Sequence, residues 1–74
     1  MAKTRQLVIC VRNDGYPASL ERRKIYVSVP DAAAEKLGQR RVIDESGEDY
    51  LYPADFFVEV SLPTPVRRAV LTAA

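Results

Sequence analysis

The stretch that most constrains the fold is residues 41–53, which read Arg-Val-Ile-Asp-Glu-Ser-Gly-Glu-Asp-Tyr-Leu-Tyr-Pro. An apolar run, an acidic turn around Ser46 and Gly47, and an aromatic run ended by Pro53 follow one another here. This order is typical of a β-hairpin whose loop carries a glycine. The side chains that we expect to tie the hairpin into the core are Val42, Ile43, Leu51 and Tyr52.

Two runs rich in β-branched residues predict earlier strands, at residues 6–11 and at residues 25–29. Turn residues follow the first run, and a long irregular loop packed by Tyr16 and Leu20 is expected between the two strands. The second run alternates in the manner of an amphipathic strand. Its apolar face is expected to carry Ile25, Val27 and Val29.

Short helices and a last strand are predicted in the second half of the chain. Asp31 is a good N-cap and Gly38 a good C′ residue for a two-turn connector helix between them. Residues 54–56 predict a single 3₁₀ turn, and Thr64-Pro65 is a helix-start signal that leaves a short helix or a loose tail open. The last strand is expected to share one face among Phe56, Val58, Val60 and Leu62.

These elements, in 74 residues, indicate a single mostly-β domain. About five short strands with no long helix favour a small SH3-like antiparallel barrel, with an OB-like or split barrel as the alternative. We place the barrel at residues 5–62, a flexible N-terminus at residues 1–4, and a C-terminal tail or short helix at residues 63–74.

Several segments resemble a family of short bacterial proteins described as uncharacterised. The resemblance implies an SH3-like barrel and brings no activity, substrate or site. The segments that carry it are Cys10-Val11-Arg12-Asn13, Gly15-Tyr16, Ala18-Ser19-Leu20, Lys24-Ile25-Tyr26 and residues 41–53 with Phe57.

Composition argues against catalysis and against bound cofactors. The chain has no histidine and one cysteine, Cys10, so the usual nucleophile–base pairs and zinc ligand sets cannot form. Three glycines leave no phosphate loop. We therefore expect a protein that is not an enzyme and that needs no cofactor or metal. The absence of a signal-peptide core or a membrane span predicts a cytoplasmic location.

Four carboxylates crowd the hairpin tip, namely Asp44, Glu45, Glu48 and Asp49. A two-residue turn at Ser46-Gly47 would place like charges opposite each other, which is destabilising. Three explanations stay open: a solvated tip neutralised by Arg40 and Arg41, a surface for a basic partner, or a cation site.

The tyrosines also admit two interpretations. They can form an exposed groove that docks an extended, proline-rich peptide, or they can close the ends of a small barrel with their hydroxyls in water. The residues concerned are Tyr16, Tyr26, Tyr50 and Tyr52.

Three basic clusters would contact phosphates if the fold brought them together. They are Arg22-Arg23-Lys24, Arg40-Arg41 and Arg67-Arg68. The formal net charge of +1 supplies no long-range attraction to a nucleic acid.

The sequence thus predicts a small non-catalytic binding or adaptor module that recognises a protein or peptide. The alternative is RNA or DNA binding through Arg22, Arg23, Lys24, Arg40 and Arg41, and a third hypothesis has residues 64–74 engaging a partner chain. A monomer is favoured and a dimer stays open. The candidate partner-binding residues are Tyr16, Tyr26, Asp44, Glu45, Glu48, Asp49 and Tyr50.

Overall fold

The computed structural model describes residues 5–73, so the predicted flexible segment 1–4 lies outside the described residues. Short strands and helices lie close to the predicted positions, and the mostly-β prediction is confirmed. The elements in chain order are β1 Gln6–Cys10, β2 Ile25–Val29, α1 Ala32–Lys36, β3 Gln39–Ile43, β4 Asp49–Pro53, a 3₁₀ helix Ala54–Phe56, β5 Phe57–Val60 and α2 Thr64–Thr72.

All five strands form one antiparallel sheet in the order β4-β3-β2-β1-β5. Within residues 5–73, β4 and β5 are the two edges and are not hydrogen-bonded to each other, so the sheet is open. The edges approach each other through their side chains, because the rings of Tyr52 and Phe57 lie 6.3 Å apart.

The connector helix α1 forms as the sequence predicts. The amide of Ala34 donates to the Asp31 carboxylate at 3.0 Å, which satisfies one of the free N–H groups of the first turn. Gly38 follows with φ of 72°, the left-handed conformation that ends helices. Its carbonyl accepts from the amide of Ala54 at 2.9 Å, which ties α1 to the 3₁₀ helix.

One face of the sheet carries the core, and the long β1–β2 loop covers it. Leu20 of this loop is completely buried, and its neighbour in the loop, Tyr16, packs on Tyr52. Loop and sheet together therefore make one hydrophobic cluster. Its members are Val8, Cys10, Leu20, Tyr26, Val42, Tyr52, Phe56 and Phe57.

The predicted inward face of β2 was wrong. Tyr26 and Ser28 are buried, whereas Ile25, Val27 and Val29 are only half-buried. The core receives the large ring of Tyr26 because its hydroxyl has polar partners at the core boundary. The β-branched side chains lie on the other face, where Leu7, Val27 and Ile43 form a cross-strand row.

The expectation that Phe56 shares one face of the last strand with Val58, Val60 and Leu62 was also wrong. Phe57 faces the core opposite Cys10, and Val58 is 56% exposed. The 3₁₀ helix ends at Phe56 with that ring already buried, so the alternation begins anew at Phe57.

The hairpin contributes only two of the four core residues that we expected from it. Val42 and Tyr52 are buried, but Ile43 is half-buried and Leu51 is exposed. Strand alternation gives the reason, because a residue next to a buried one points to the opposite face of the sheet.

Arg40 closes the end of the core that lies near the start of β1. Its guanidinium donates from Nη1 to Gln6 Oε1 at 3.1 Å and to Ser28 Oγ at 3.2 Å. The Nη2 group donates to Glu59 Oε1 at 3.0 Å. One side chain of β3 therefore links β2, β1 and β5.

The C-terminal segment is helical over α2, which decides between the two alternatives that the sequence left open. No residue of α2 is buried; Arg67, Val70 and Leu71 are half-buried at i, i+3 and i+4. The Arg67 guanidinium donates to the carbonyl of Arg5, which holds α2 beside the start of β1. None of the helices within residues 5–73 has the length and apolarity needed to cross a bilayer.

Candidate functional site

A groove of about 360 Å³ lies where the β1–β2 loop meets the β3–β4 hairpin. Two tyrosine rings are exposed in it, Tyr16 at 42% and Tyr50 at 49%, and Tyr52 lies buried between the groove and the core. We call this surface the tyrosine groove. Its lining residues are Tyr16, Ser19, Asp44, Ser46, Tyr50, Leu51 and Tyr52.

Backbone hydrogen bonds within the loop position Tyr16. Its amide donates to the carbonyl of Asn13 at 2.8 Å, and its carbonyl accepts from the amides of Ser19 and Leu20 at 3.1 and 3.0 Å. The Asn13 side chain donates to the carbonyl of Leu20 at 3.1 Å and closes the loop. The Tyr16 ring then meets Tyr52 edge-on, at 4.9 Å and 89°, a favourable arrangement for two aromatic rings.

The hairpin turn is longer than the sequence predicted. Ile43 pairs with Asp49, which leaves residues 44–48 as a five-residue loop. The Asp44 amide donates to the carbonyl of Glu48, and the Gly47 amide donates to the carbonyl of Asp44, both at 3.0 Å. The two-residue turn at Ser46-Gly47 that would place like charges opposite each other therefore does not form.

Asp44 is a structural carboxylate. It is buried and accepts from the Tyr52 hydroxyl at 2.5 Å, from the Ser46 amide at 2.8 Å and from Ser46 Oγ at 2.5 Å. Burial alone would raise the pKa of Asp44, but the hydrogen bonds from Ser46 and Tyr52 outweigh it and leave the pKa lowered. Burial and the Asp44 carboxylate raise the pKa of Tyr52 to about 12.

Glu45 is engaged on the far side of the same loop. Its carboxylate pairs with Lys24 Nζ at 2.6 Å and accepts from the Tyr26 hydroxyl at 2.5 Å. Lys24 first, and Tyr26 second, lower the pKa of Glu45. Because the Tyr26 ring is buried in the core, it is not part of the exposed aromatic surface proposed from the sequence.

Glu48 and Asp49 remain exposed at the start of β4, and only Glu48 contacts a residue that lines the groove. Glu48 accepts from the Tyr50 hydroxyl at 2.8 Å, which raises the pKa of Tyr50. Asp49 pairs with Arg41 Nη1 at 3.3 Å, as the neutralised-tip explanation predicted, while Arg40 lies on the other face and binds elsewhere. Among residues 5–73, no basic side chain lines the groove itself.

The basic clusters do not form one surface. Arg22, Arg23 and Lys24 precede the start of β2, whereas Arg40 and Arg41 lie beside its end, where Arg41 pairs with Val29. Arg40 and Arg41 also point to opposite faces of β3, and each is paired with carboxylates.

Cys10 is completely buried in the core, and this burial raises the pKa of its thiol. A protonated, inaccessible thiol is a poor nucleophile. Within residues 5–73, no group of three or more histidine, cysteine or acidic side chains is arranged to hold a metal ion.

Sequence reasoning missed the pairing of Tyr52 with Asp44 and the contributions of Ser19 and Ser46. One local signal was present, because an aspartate two residues before a serine is typical of an Asx turn. The contact between the Glu45 amide and the Ser19 carbonyl, 3.0 Å, joins two distant loops and has no local signal. Comparison of the chain with protein-family models, curated proteins and solved structures finds no match.

Proposed function

We propose that this protein is a small non-catalytic binding module that recognises an extended peptide segment of another protein in the tyrosine groove. The observation that carries the proposal is the pair of half-exposed rings, Tyr16 and Tyr50, on a concave surface that has no basic lining among residues 5–73. Asp44 and Glu45 are held within the fold, so Glu48, which accepts from the Tyr50 hydroxyl, is the exposed carboxylate next to the groove.

The chemistry of the groove fits a proline-containing, basic peptide. Tyrosine rings pack well against a polyproline II segment, which is already ordered and loses little entropy on binding. A lysine or arginine of the peptide would pair with Glu48, because this carboxylate is solvent-accessible and lies next to Tyr50.

The proposal includes the SH3-like class of barrel and the family resemblance noted from the sequence. Supporting observations are the strand order, the long β1–β2 loop over the core, the 3₁₀ helix between β4 and β5, and the Tyr52–Phe57 contact between the sheet edges.

A fluorescence-anisotropy titration tests the groove. The probe is a dye-labelled peptide of about ten residues with two prolines and two arginines, unrelated to this chain, in about 20 mM salt. Binding is expected to weaken at least about tenfold in Tyr50→Ala and in Glu48→Lys. Glu35→Lys makes the same charge change on α1 and is expected to bind as the unmodified protein does. Absence of binding, or equal loss in Glu35→Lys, overturns the proposal.

Nucleic-acid binding is the second candidate function. It is supported by Arg22 and Arg23, which are exposed and make no ion pair with residues 5–73. A labelled single-stranded RNA is titrated under the same conditions, and Arg22→Glu with Arg23→Glu is expected to abolish any binding. No binding at about 20 mM salt, where screening is weak, rejects this candidate.

A further inference from the structure

Residues 62–68 of this chain read Leu-Pro-Thr-Pro-Val-Arg-Arg, which is the kind of ligand that the tyrosine groove fits. We propose that this segment docks in the tyrosine groove of a second copy, so that the chains associate head to tail. The inference rests on the proposed function, because it names the partner of the same groove. It replaces the monomer favoured from the sequence with a reversible self-association.

The groove and the segment lie at opposite ends of the sheet. β5 ends at Val60, which pairs with Leu7 near the start of β1, and the groove lies beyond the other end of β1. Arg67 is held beside the start of β1 by its hydrogen bond to the carbonyl of Arg5. In this conformation the segment lies away from the groove of its own molecule, and the groove of another molecule takes it.

The start of the segment already has the backbone that such a groove binds. Pro63 has φ of −54° and ψ of 146°, the polyproline II conformation. Thr64 precedes Pro65, and a residue before proline favours the extended region over the helical one. Extending the polyproline II conformation to Val66 requires only the first turn of α2 to unwind.

Unwinding this turn costs little. α2 has nine residues, none of them buried, and no side chain caps its N-terminus. Helices below about 12–15 residues are marginal by themselves. The Arg67 guanidinium gives up a hydrogen bond to a single backbone carbonyl, that of Arg5, in an exposed position.

Charge complementarity supports the docking. The segment ends in Arg67 and Arg68, and the exposed Glu48 lies next to the groove, where it accepts from the hydroxyl of Tyr50. Arg67 and Arg68 make no ion pair with residues 5–73 that would have to break first. An arginine can bind a carboxylate with two parallel hydrogen bonds, which also fixes the direction of the bound segment.

An interface of this kind is heterologous, since each molecule offers a groove at one end and a segment at the other. One-way docking of this kind produces open chains or rings, and reciprocal exchange of the segments between two copies closes a dimer. We therefore expect oligomers whose average size increases with protein concentration and decreases as salt is added.

Sedimentation velocity on the whole chain tests the geometry by complementation. The groove variants are Glu48→Lys and, separately, Tyr50→Ala, and the segment variant is Arg67→Glu with Arg68→Glu. Each is expected to stay monomeric by itself, with circular dichroism confirming that it is folded. An equimolar mixture of a groove variant and the segment variant keeps one intact groove and one intact segment. It is expected to form 1:1 dimers and nothing larger.

A matched pair of peptides separates this inference from the proposed function. A peptide of residues 60–69 is titrated beside the unrelated proline–arginine peptide. A third peptide, residues 60–69 with Pro63→Ala and Pro65→Ala, is the control. Groove-dependent binding of the 60–69 peptide, reduced at least about tenfold without its prolines, supports the inference. If the unrelated peptide binds and the 60–69 peptide does not, the self-association is wrong and the function stands. If neither binds, both are wrong. A monomer at every concentration, or association that persists in the groove variants, also overturns the inference.

Discussion

Asp44 is the residue on which the local structure around the groove depends most. Its carboxylate is buried and charged, and it is held by hydrogen bonds from Tyr52 and Ser46. A buried charge is tolerated only while such donors remain, because an unsatisfied carboxylate loses its hydration without compensation. Asp44 therefore holds the turn through Ser46 and also lines the groove.

Removal of the Tyr52 hydroxyl should reveal this dependence. Tyr52→Phe keeps the ring but takes away one charge-assisted hydrogen bond, and we expect the free energy of unfolding to fall by about 1.5–3 kcal/mol. Urea denaturation measures the change. Tyr50→Phe is the matched control, because its hydroxyl bonds Glu48 at the surface. Equal effects of the two substitutions would contradict a buried role for Asp44.

The loss of stability at acid pH should also depend on Asp44. The pKa of Asp44 is lowered in the folded state, so the unfolded state binds its proton first as the pH falls. The stabilisation from this group is present above about pH 4 and is lost as the pH falls through the lower folded value.

Asp44→Asn should therefore lower the free energy of unfolding at about neutral pH. Below about pH 4, the free energy of unfolding should fall less steeply in this variant than in the unmodified protein. Unfolding free energies at a series of pH values test this, with the exposed Asp55→Asn as the control. A decline as steep in Asp44→Asn as in the unmodified protein would show that another group is responsible.

At the scale of elements, the sequence predicted features that depend on residues a few positions apart better than features that depend on distant residues. Asp31 and Gly38 identified α1 because a cap and a left-handed residue act within a few positions. The alternation in β2 located the strand but not its buried face. The ring of Tyr26 is also a large apolar group that can be buried, so hydrophobicity alone did not distinguish the two faces. The hydrogen-bond partners of the Tyr26 hydroxyl decide which face is buried, and they lie 5 and 19 residues away in the chain.

The candidate site divides in the same way. The sequence analysis proposed Tyr16, Tyr50 and the acidic loop as partner-binding residues, and the structure brings Tyr16, Asp44 and Tyr50 into one groove. It could not show that Glu45 is held by Lys24, because that pair depends on how two loops pack.

The junction between α1 and β3 offers a test of backbone conformation alone. A Cβ added at Gly38 meets no atom within 4 Å, so Gly38→Ala changes only the cost of φ at 72°. We expect the free energy of unfolding to fall by about 1 kcal/mol in Gly38→Ala, and by less in Gly38→Asn, since asparagine tolerates this region better. Thermal unfolding of both variants measures the order, and a reversed order would contradict the explanation.

At the scale of the whole molecule, the small core depends on contacts that span the sheet. Arg40 joins β3 to β2, β1 and β5 at one end, and the β1–β2 loop covers the other. A core of this kind is expected to open as a unit, because few of its contacts are local.

Cys10 reports such an opening directly. It is the single cysteine and is completely buried, so a thiol reagent reaches it only when the core opens. We expect its labelling to be slower than that of the urea-unfolded chain by at least about 10³-fold, as a stability of roughly 4 kcal/mol or more requires. Labelling within about tenfold of the unfolded chain would mean that the core opens locally.

The packing of Tyr16 also bears on how the chain is made. Its ring contacts Tyr52 and Phe56, which follow about 40 residues later in the chain. During synthesis from the N-terminus, the β1–β2 loop leaves the ribosome long before its partners exist. The loop that holds Tyr16 is thus translated early, but its aromatic contacts can form only after Tyr52 and Phe56 have emerged.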